Sequence, residues 1–263
     1  MLSSFRRLIA VVLLAGSALA AAPAWADETD PPSEITVHGH AALLSDYRFR
    51  GLSRSSGDPA VQGGIEVSHA SGFYAGLAAS SLDLGAIGPL TDPAHSDMQL
   101  DLYAGWTGPL TGGWNADVGL LYDAFPAGNF GKAEFFEPYA SVSTTLGPLS
   151  GKLGVKYAWK QQALNFNGGR RDDNLYVHLD LGAGIPNTPV SLSARLGYTD
   201  GALSPKYATG ETVDYAGGLD WALGASYAIT PFLSIGGQYV GVQGRSIDGY
   251  SNDTVVGTLK LSF

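Results

Sequence analysis

The chain has 263 residues, of which 45% are hydrophobic and only 15% charged, against about 25% charged in an average soluble chain. Its 36 Gly, 13 Tyr and lack of long polar runs exclude a disordered protein, and the absence of Cys excludes a disulfide scaffold, a thiolate metal site and a thiol nucleophile. A formal charge of −9 without any basic tract argues against a nucleic-acid partner.

Residues 1–26 read as a secretory signal. Arg6 and Arg7 form a basic start, Leu8 to Ala20 an apolar stretch, and Ala24-Trp25-Ala26 a small-x-small cleavage site. The apolar stretch is short for a spanning helix, which needs about 20 residues. Cleavage after Ala26 leaves residues 27–263 with 13 basic and 24 acidic side chains, a net charge of −11. No later apolar run is long enough for a membrane helix, so the expectation is an exported chain that crosses no membrane by helix.

The rest alternates with period 2, the signature of strands and not of helices. Twelve such segments follow in order, at 35–50, 60–69, 73–82, 97–107, 114–123, 135–146, 149–160, 174–183, 190–199, 214–228, 232–241 and 254–263. In the fourth, Met98, Leu100, Leu102, Ala104 and Trp106 share a face opposite Gln99, Asp101, Tyr103, Gly105 and Thr107. In the seventh, Leu149, Leu153, Val155, Tyr157 and Trp159 oppose Ser150, Lys152, Lys156 and Lys160. No Asp, Glu, Lys or Arg falls on any apolar face.

That exclusion separates two all-β readings. A soluble sandwich turns its apolar face inward and has no reason to keep charges off one whole phase of every strand. A charge on the lipid face of a membrane barrel costs about 2–4 kcal/mol at the bilayer midplane. Aromatics also gather at strand ends. Tyr47, Phe49, Tyr122, Tyr157, Trp159, Tyr198 and Tyr239 fall at one rim, and Phe73, Trp106, Trp114, Tyr227 and Phe263 at the other, as two interfacial girdles would.

Short connections near 70–72, 108–113, 147–148, 184–189 and 229–231 alternate with longer ones near 51–59, 83–96, 124–134, 161–173, 200–213 and 242–253. This is the pattern of periplasmic turns and extracellular loops. The fold class predicted is thus all-β, a transmembrane antiparallel β-barrel of about twelve strands, filling residues 27–263 in the outer membrane of a Gram-negative cell. Pro138 falls mid-strand and cannot donate to a ladder, which calls for a bulge or a later strand start.

The stretch Leu44-Ser45-Asp46-Tyr47-Arg48-Phe49-Arg50-Gly51-Leu52-Ser53, with Asp58-Pro59-Ala60-Val61-Gln62-Gly63-Gly64 and Ser71-Gly72-Phe73-Tyr74-Ala75-Gly76, resembles the opening of the TorF family of proteobacterial porins. The resemblance covers about the first fifth of the mature chain. It implies an outer-membrane location and a channel role, and names no solute. The terminal Phe263, in phase with the outward face, resembles the assembly signal of many outer-membrane barrels, which implies the barrel assembly machinery as a partner beside outer-membrane lipid.

With apolar residues on lipid, the other phase lines a lumen. It carries the acids Asp46, Glu66, Asp101, Asp117, Asp123, Glu137, Asp180, Asp214 and Asp220, and the bases Arg48, Arg50, Lys152, Lys156, Lys160, Arg195 and Lys260. Two groups are sharper. Lys152, Lys156 and Lys160 recur on one strand roughly 13 Å apart at about 3.3 Å per residue. If Gly147-Pro148 is a two-residue turn, Ala158 opposes Glu137, and Lys156 and Lys160 flank it diagonally. This reads either as a basic ladder for anions or as an ion-pair network closing a narrow barrel. Asp46, Arg48 and Arg50 continue the first strand toward the outer mouth, either as part of a charged constriction or as a clamp bracing the first loop.

Enzyme chemistry finds little support. An outer-membrane phospholipase needs Ser and His paired on the lipid face, whereas His38, His40 and His178 face inward, His69 sits at a turn and His95 in a loop. No Ser occupies a G-x-S-x-G elbow. His38 and His40 share one wall but show no third metal ligand, and no glycine pair joins a strand to a helix as a phosphate loop would. No cofactor is expected. The reading is a porin-like channel for passive diffusion of small hydrophilic solutes or ions. The alternative is a closed structural or adhesive barrel whose loops, with Arg170-Arg171-Asp172-Asp173 as the candidate surface, bind a partner.

Overall fold

The computed structural model describes residues 34–83, 96–126, 133–165, 173–212 and 217–263; the signal segment, His95, Asp214 and Arg170-Arg171-Asp172 lie outside them. Twelve antiparallel strands close into one barrel: β1 (Ile35–Leu44), β2 (Ala60–His69), β3 (Phe73–Ser81), β4 (Met98–Pro109), β5 (Trp114–Ala124), β6 (Phe135–Leu146), β7 (Leu149–Ala158), β8 (Asn174–Gly184), β9 (Val190–Gly201), β10 (Gly218–Ala228), β11 (Leu233–Val242) and β12 (Thr254–Ser262). Each pairs with its sequence neighbours, and β1 closes on β12, so the main sheet is a closed barrel without free edge strands among the described residues. At the seam Gly39 and Phe263 exchange backbone bonds of 2.7 and 3.0 Å. Leu146 faces Leu149 across Gly147-Pro148, the tight turn that the sequence spacing predicts.

The apolar phase points outward. Leu223 is 60% exposed and Leu153 and Ile235 51% each, a surface that only lipid would cover favourably. At the long-loop rim, Tyr122, Phe136 and Trp159 run side by side, with ring centroids 4.6 and 6.1 Å apart. Tyr157 and Tyr239 donate to Asp173 (2.8 Å) and Asp253 (2.6 Å), which keeps their phenol ends toward the loops. Phe73, Trp114, Tyr227 and Phe263 are exposed at the short-turn rim.

Two members of the expected outer girdle are not there. β1 stops at Leu44 and does not run to residue 50. Beyond it the chain folds back, pairing Arg48 with Ser53 and Phe49 with Leu52 in a miniature hairpin. Arg50 and Gly51, both with positive φ (50° and 83°), make its reversal. Tyr47 is consequently buried, and Phe49 lies partly buried beside it instead of in a lipid girdle.

Inside, large side chains lie over glycines on the neighbouring strand. Tyr74 faces Gly105 and Tyr103 faces Gly76 across the β3–β4 ladder. A Cβ on either glycine would come within 2.5 Å of the opposing phenol oxygen. Much of the glycine content therefore gives inward rings room to lie flat along the wall.

Pro138 is accommodated neither by a bulge nor by a later strand start, but by a later start of the ladder on one side. β6 runs through it and pairs there with β5, but the β6–β7 ladder begins only at Tyr139↔Lys156. The unpaired edge before it is served by the Gln161 side chain, which accepts from Phe136 N (2.8 Å) and donates to Phe136 O (2.7 Å).

Candidate lumen and constriction

The loop between β1 and β2 enters the loop-end half of the barrel and is pinned there by four polar side chains. Asp46, 4% exposed, accepts from Arg48 Nε (2.5 Å), Ser53 Oγ (2.6 Å) and Ser55 Oγ (3.0 Å). Arg48 also donates to the carbonyls of Gly51 (3.2 Å), Tyr250 and Asn252 (3.1 Å each), tying this loop to the β11–β12 loop. Arg50 crosses to β6, where Nη2 reaches both Glu137 oxygens at 2.5 and 2.7 Å. Its guanidinium lies 4.2 Å from the Tyr176 ring centroid. Arg54 stacks 3.6 Å over Phe49 and hydrogen-bonds Gln99, whose amide donates in turn to Asp101 (2.7 Å) and Asp123 (2.8 Å). Tyr47 completes the layer, donating to Gln99 at 3.1 Å. Burial pushes its phenol up to about 12, so it stays a neutral donor.

Toward the short turns the wall is different. Asp117 accepts from Tyr74 (2.5 Å), which meets the Tyr139 hydroxyl at 2.6 Å, and Lys152 stands 3.7 Å from the same carboxylate. The Tyr103 ring lies over Gly76, the residue that pairs with Glu66 on the neighbouring strand. Lys152, Asp180 and Arg195 sit side by side on β7, β8 and β9; Asp180 binds Arg195 Nε at 2.5 Å and His178 Nδ1 at 2.7 Å. Lys260 stands opposite Ala42 and Ser234, exposed, with Leu259 and Leu261 turned outward beside it.

The expected groups are thus divided between two layers. Asp46, Arg48, Arg50, Asp101, Asp123, Glu137, Lys156 and Asp220 meet in the loop-end layer, where Lys156 is 4.0 Å from Glu137 and Tyr176 donates to Asp220 at 3.2 Å. Glu66, Asp117, Lys152, Asp180, Arg195 and Lys260 line the other. Lys160 joins neither: β7 ends at Ala158, so Lys160 lies exposed in the following loop and does not flank Glu137. Arg48 and Arg50 come not from a prolonged strand but from the inserted loop, where Arg48 braces and Arg50 bridges. The sequence reading does not single out Arg54, Tyr74 or Tyr139 as wall groups. Strand phase alone places the two tyrosines inward, whereas nothing local marks Arg54. His69, at the end of β2, accepts the Ser71 N–H on Nδ1 (3.1 Å), which also lies 2.7 Å from the Ser71 hydroxyl, a local turn clasp.

A closed barrel, apolar outside and lined with charged side chains, defines the architecture of outer-membrane porins and channels. It is similar to the NanC porin, with 15% identity over 87% of this chain and 99% of that one, and a TM-score of 0.56. It is also similar to the KdgM porin in complex with disordered oligogalacturonate (10% identity, 87% and 98% covered, TM-score 0.52) and to an outer membrane channel from Pseudomonas putida F1 (13% identity, 89% and 99% covered, TM-score 0.50). At these identities the likeness is one of fold. By sequence, the chain belongs to the Gcw_chp family of bacterial proteins of unknown function, matched over residues 28–260. No relative is found among curated proteins.

Proposed function

We propose that this protein is an outer-membrane channel passing small hydrophilic solutes or ions by passive diffusion, selected by lumen width and wall charge. The observation that carries this is accessible charge inside an apolar-coated barrel: the side chains of Arg195 and Lys152 face the interior yet stay 52% and 45% exposed. A sealed core would bury or pair such groups completely, whereas a water-filled lumen leaves them solvated. The resemblance of the opening motifs to TorF family porins supports the same reading, as does the fold likeness to channels. An amino-terminal signal would deliver the chain for export, and Phe263 at the seam would present the end that assembly machinery reads.

The test is to refold residues 27–263 and record current across a planar bilayer under a salt gradient. Stable unitary steps are expected. A folded barrel that passes no current would overturn the channel reading in favour of a closed barrel acting through its loops, for which the buried Arg50–Glu137 pair is the supporting observation.

A further inference from the structure

With 24 acids against 15 bases, the chain as a whole leans toward cations. The lumen wall reverses that lean, because its acids and bases are not equally presented. Near the loops, Glu137, Asp123 and Asp220 are 0%, 0% and 3% exposed and lie behind the inserted loop. Toward the short turns, Asp117 is tied back by Tyr74 and Asp180 by His178, while Glu66 sits beside the Tyr103 ring that covers its strand partner Gly76. All three are only partly accessible.

The bases are the groups left standing in the open. Lys152, Arg195 and Lys260 are all exposed, on three separate strands around the wall. Lys152 touches its acid only at 3.7 Å, and Arg195 uses Nε for Asp180. A long side chain carries its charge into the lumen, whereas a short, hydrogen-bonded carboxylate keeps its charge at the wall. A solute entering this half therefore meets ammonium and guanidinium groups first.

We propose that the lumen prefers small anions, carboxylate-bearing solutes among them, with Lys152, Arg195 and Lys260 as the groups that contact them. The inference rests on the channel reading and adds the charge class of the solute. Arg195 offers a planar fork suited to a carboxylate, and the two lysines offer point charges that hold an anion without fixing its orientation. Charged side chains around a pore set selectivity in this way.

The experiment is the reversal potential of the refolded channel in a tenfold gradient of KCl, then of potassium acetate. The expected result is a potential of the anion-selective sign, with a chloride-to-potassium permeability ratio above 1 and measurable acetate current. Reversing the three charges together (Lys152→Glu, Arg195→Glu, Lys260→Glu) should bring the ratio below 1. If that variant fails to fold, Lys152→Gln with Lys260→Gln should lower the ratio, while Arg195→Lys, which keeps the charge, leaves it unchanged. Unitary current with a potassium preference in the unaltered channel overturns this proposal alone, as does a ratio unmoved by the folded variants. No unitary current overturns the channel reading, and this proposal with it.

Discussion

Replacing Arg50 tests whether the first loop is held in the lumen by the bridge to Glu137. The pair is nearly dry, with side chains 5% and 0% exposed. Removing one partner of such a pair costs about 3–5 kcal/mol, because the stranded charge keeps its desolvation penalty. Here Arg50 Nη1 has no hydrogen-bond partner among the described residues, and Lys156, 4.0 Å from Glu137, remains to offset its charge. Both facts favour the lower end, about 3 kcal/mol. Stacking on Tyr176 adds about 1 kcal/mol to the loss. The cost falls on the loop and not on the barrel, whose ladders do not involve Arg50. At about 1.4 kcal/mol per factor of ten, Arg50→Ala shifts the docked-to-free ratio of the loop by two to three powers of ten. Unitary conductance should then rise as the loop leaves the loop-end layer. Arg50→Gly, which also relieves the left-handed backbone at this position, should show the same rise with a stability loss about 1 kcal/mol smaller. A cycle with Glu137→Ala should give a coupling well above the roughly 0.5 kcal/mol scatter of independent sites. An additive cycle, or an Arg50→Ala conductance histogram that superposes on the unaltered one, would refute the reasoning.

Other features of the wall have their own consequences. Gly105→Ala sets a methyl 2.5 Å from the Tyr74 hydroxyl and 2.6 Å from the Val118 carbonyl, and should cost about 1–3 kcal/mol in reversible unfolding; a neutral result would mean that the ring does not need its glycine. Leu223→Arg, at a 60% exposed outward site near the middle of β10, should cost about 2–4 kcal/mol in vesicles. Tyr47 and Tyr250, both in loops, are raised to about 12 chiefly by burial. The folded state therefore holds their protons where an unfolded phenol has lost them. Stability should be intact below pH 10 and fall as pH rises toward 12, and Tyr47→Phe should flatten that fall in a pH series of unfolding midpoints. Deleting Phe263 removes the two backbone bonds to Gly39 that extend the closing ladder and should lower the yield of heat-modifiable folded barrel.

Most of the barrel was legible because lipid imposes one rule on every strand. Outward residues must be apolar, so alternation alone gives the strands, their phase and the alternation of turns and loops. The same rule explains the chief misreading. Asp46-Tyr47-Arg48-Phe49-Arg50 keeps the alternation of a strand, but it does so inside the lumen, where Tyr47 and Phe49 pack on Ala60, Leu82 and Phe125 instead of on lipid. Period 2 reports that two faces see different surroundings; it does not say which surroundings. The local warning was Arg50-Gly51, the pair that takes positive φ and turns the chain back. Lys160 failed for a related reason, since alternation continues two residues past the last ladder bond and only Gln161, returning to the edge of β6, marks the end.

The lumen was less legible because its properties depend on contacts across the barrel. Which carboxylate is capped by a tyrosine, and which base is left exposed, follows from register between strands distant in sequence, such as Tyr74 with Asp117 or Arg50 with Glu137. Counting charges along the inward phase gives near balance and predicts weak selectivity. Weighing each charge by its reach and its hydrogen bonds gives a wall that presents bases and withholds acids. The net charge of the chain and the charge a solute meets are therefore different quantities in this fold, and the second is set by side-chain length and by the tyrosines that hold the carboxylates back.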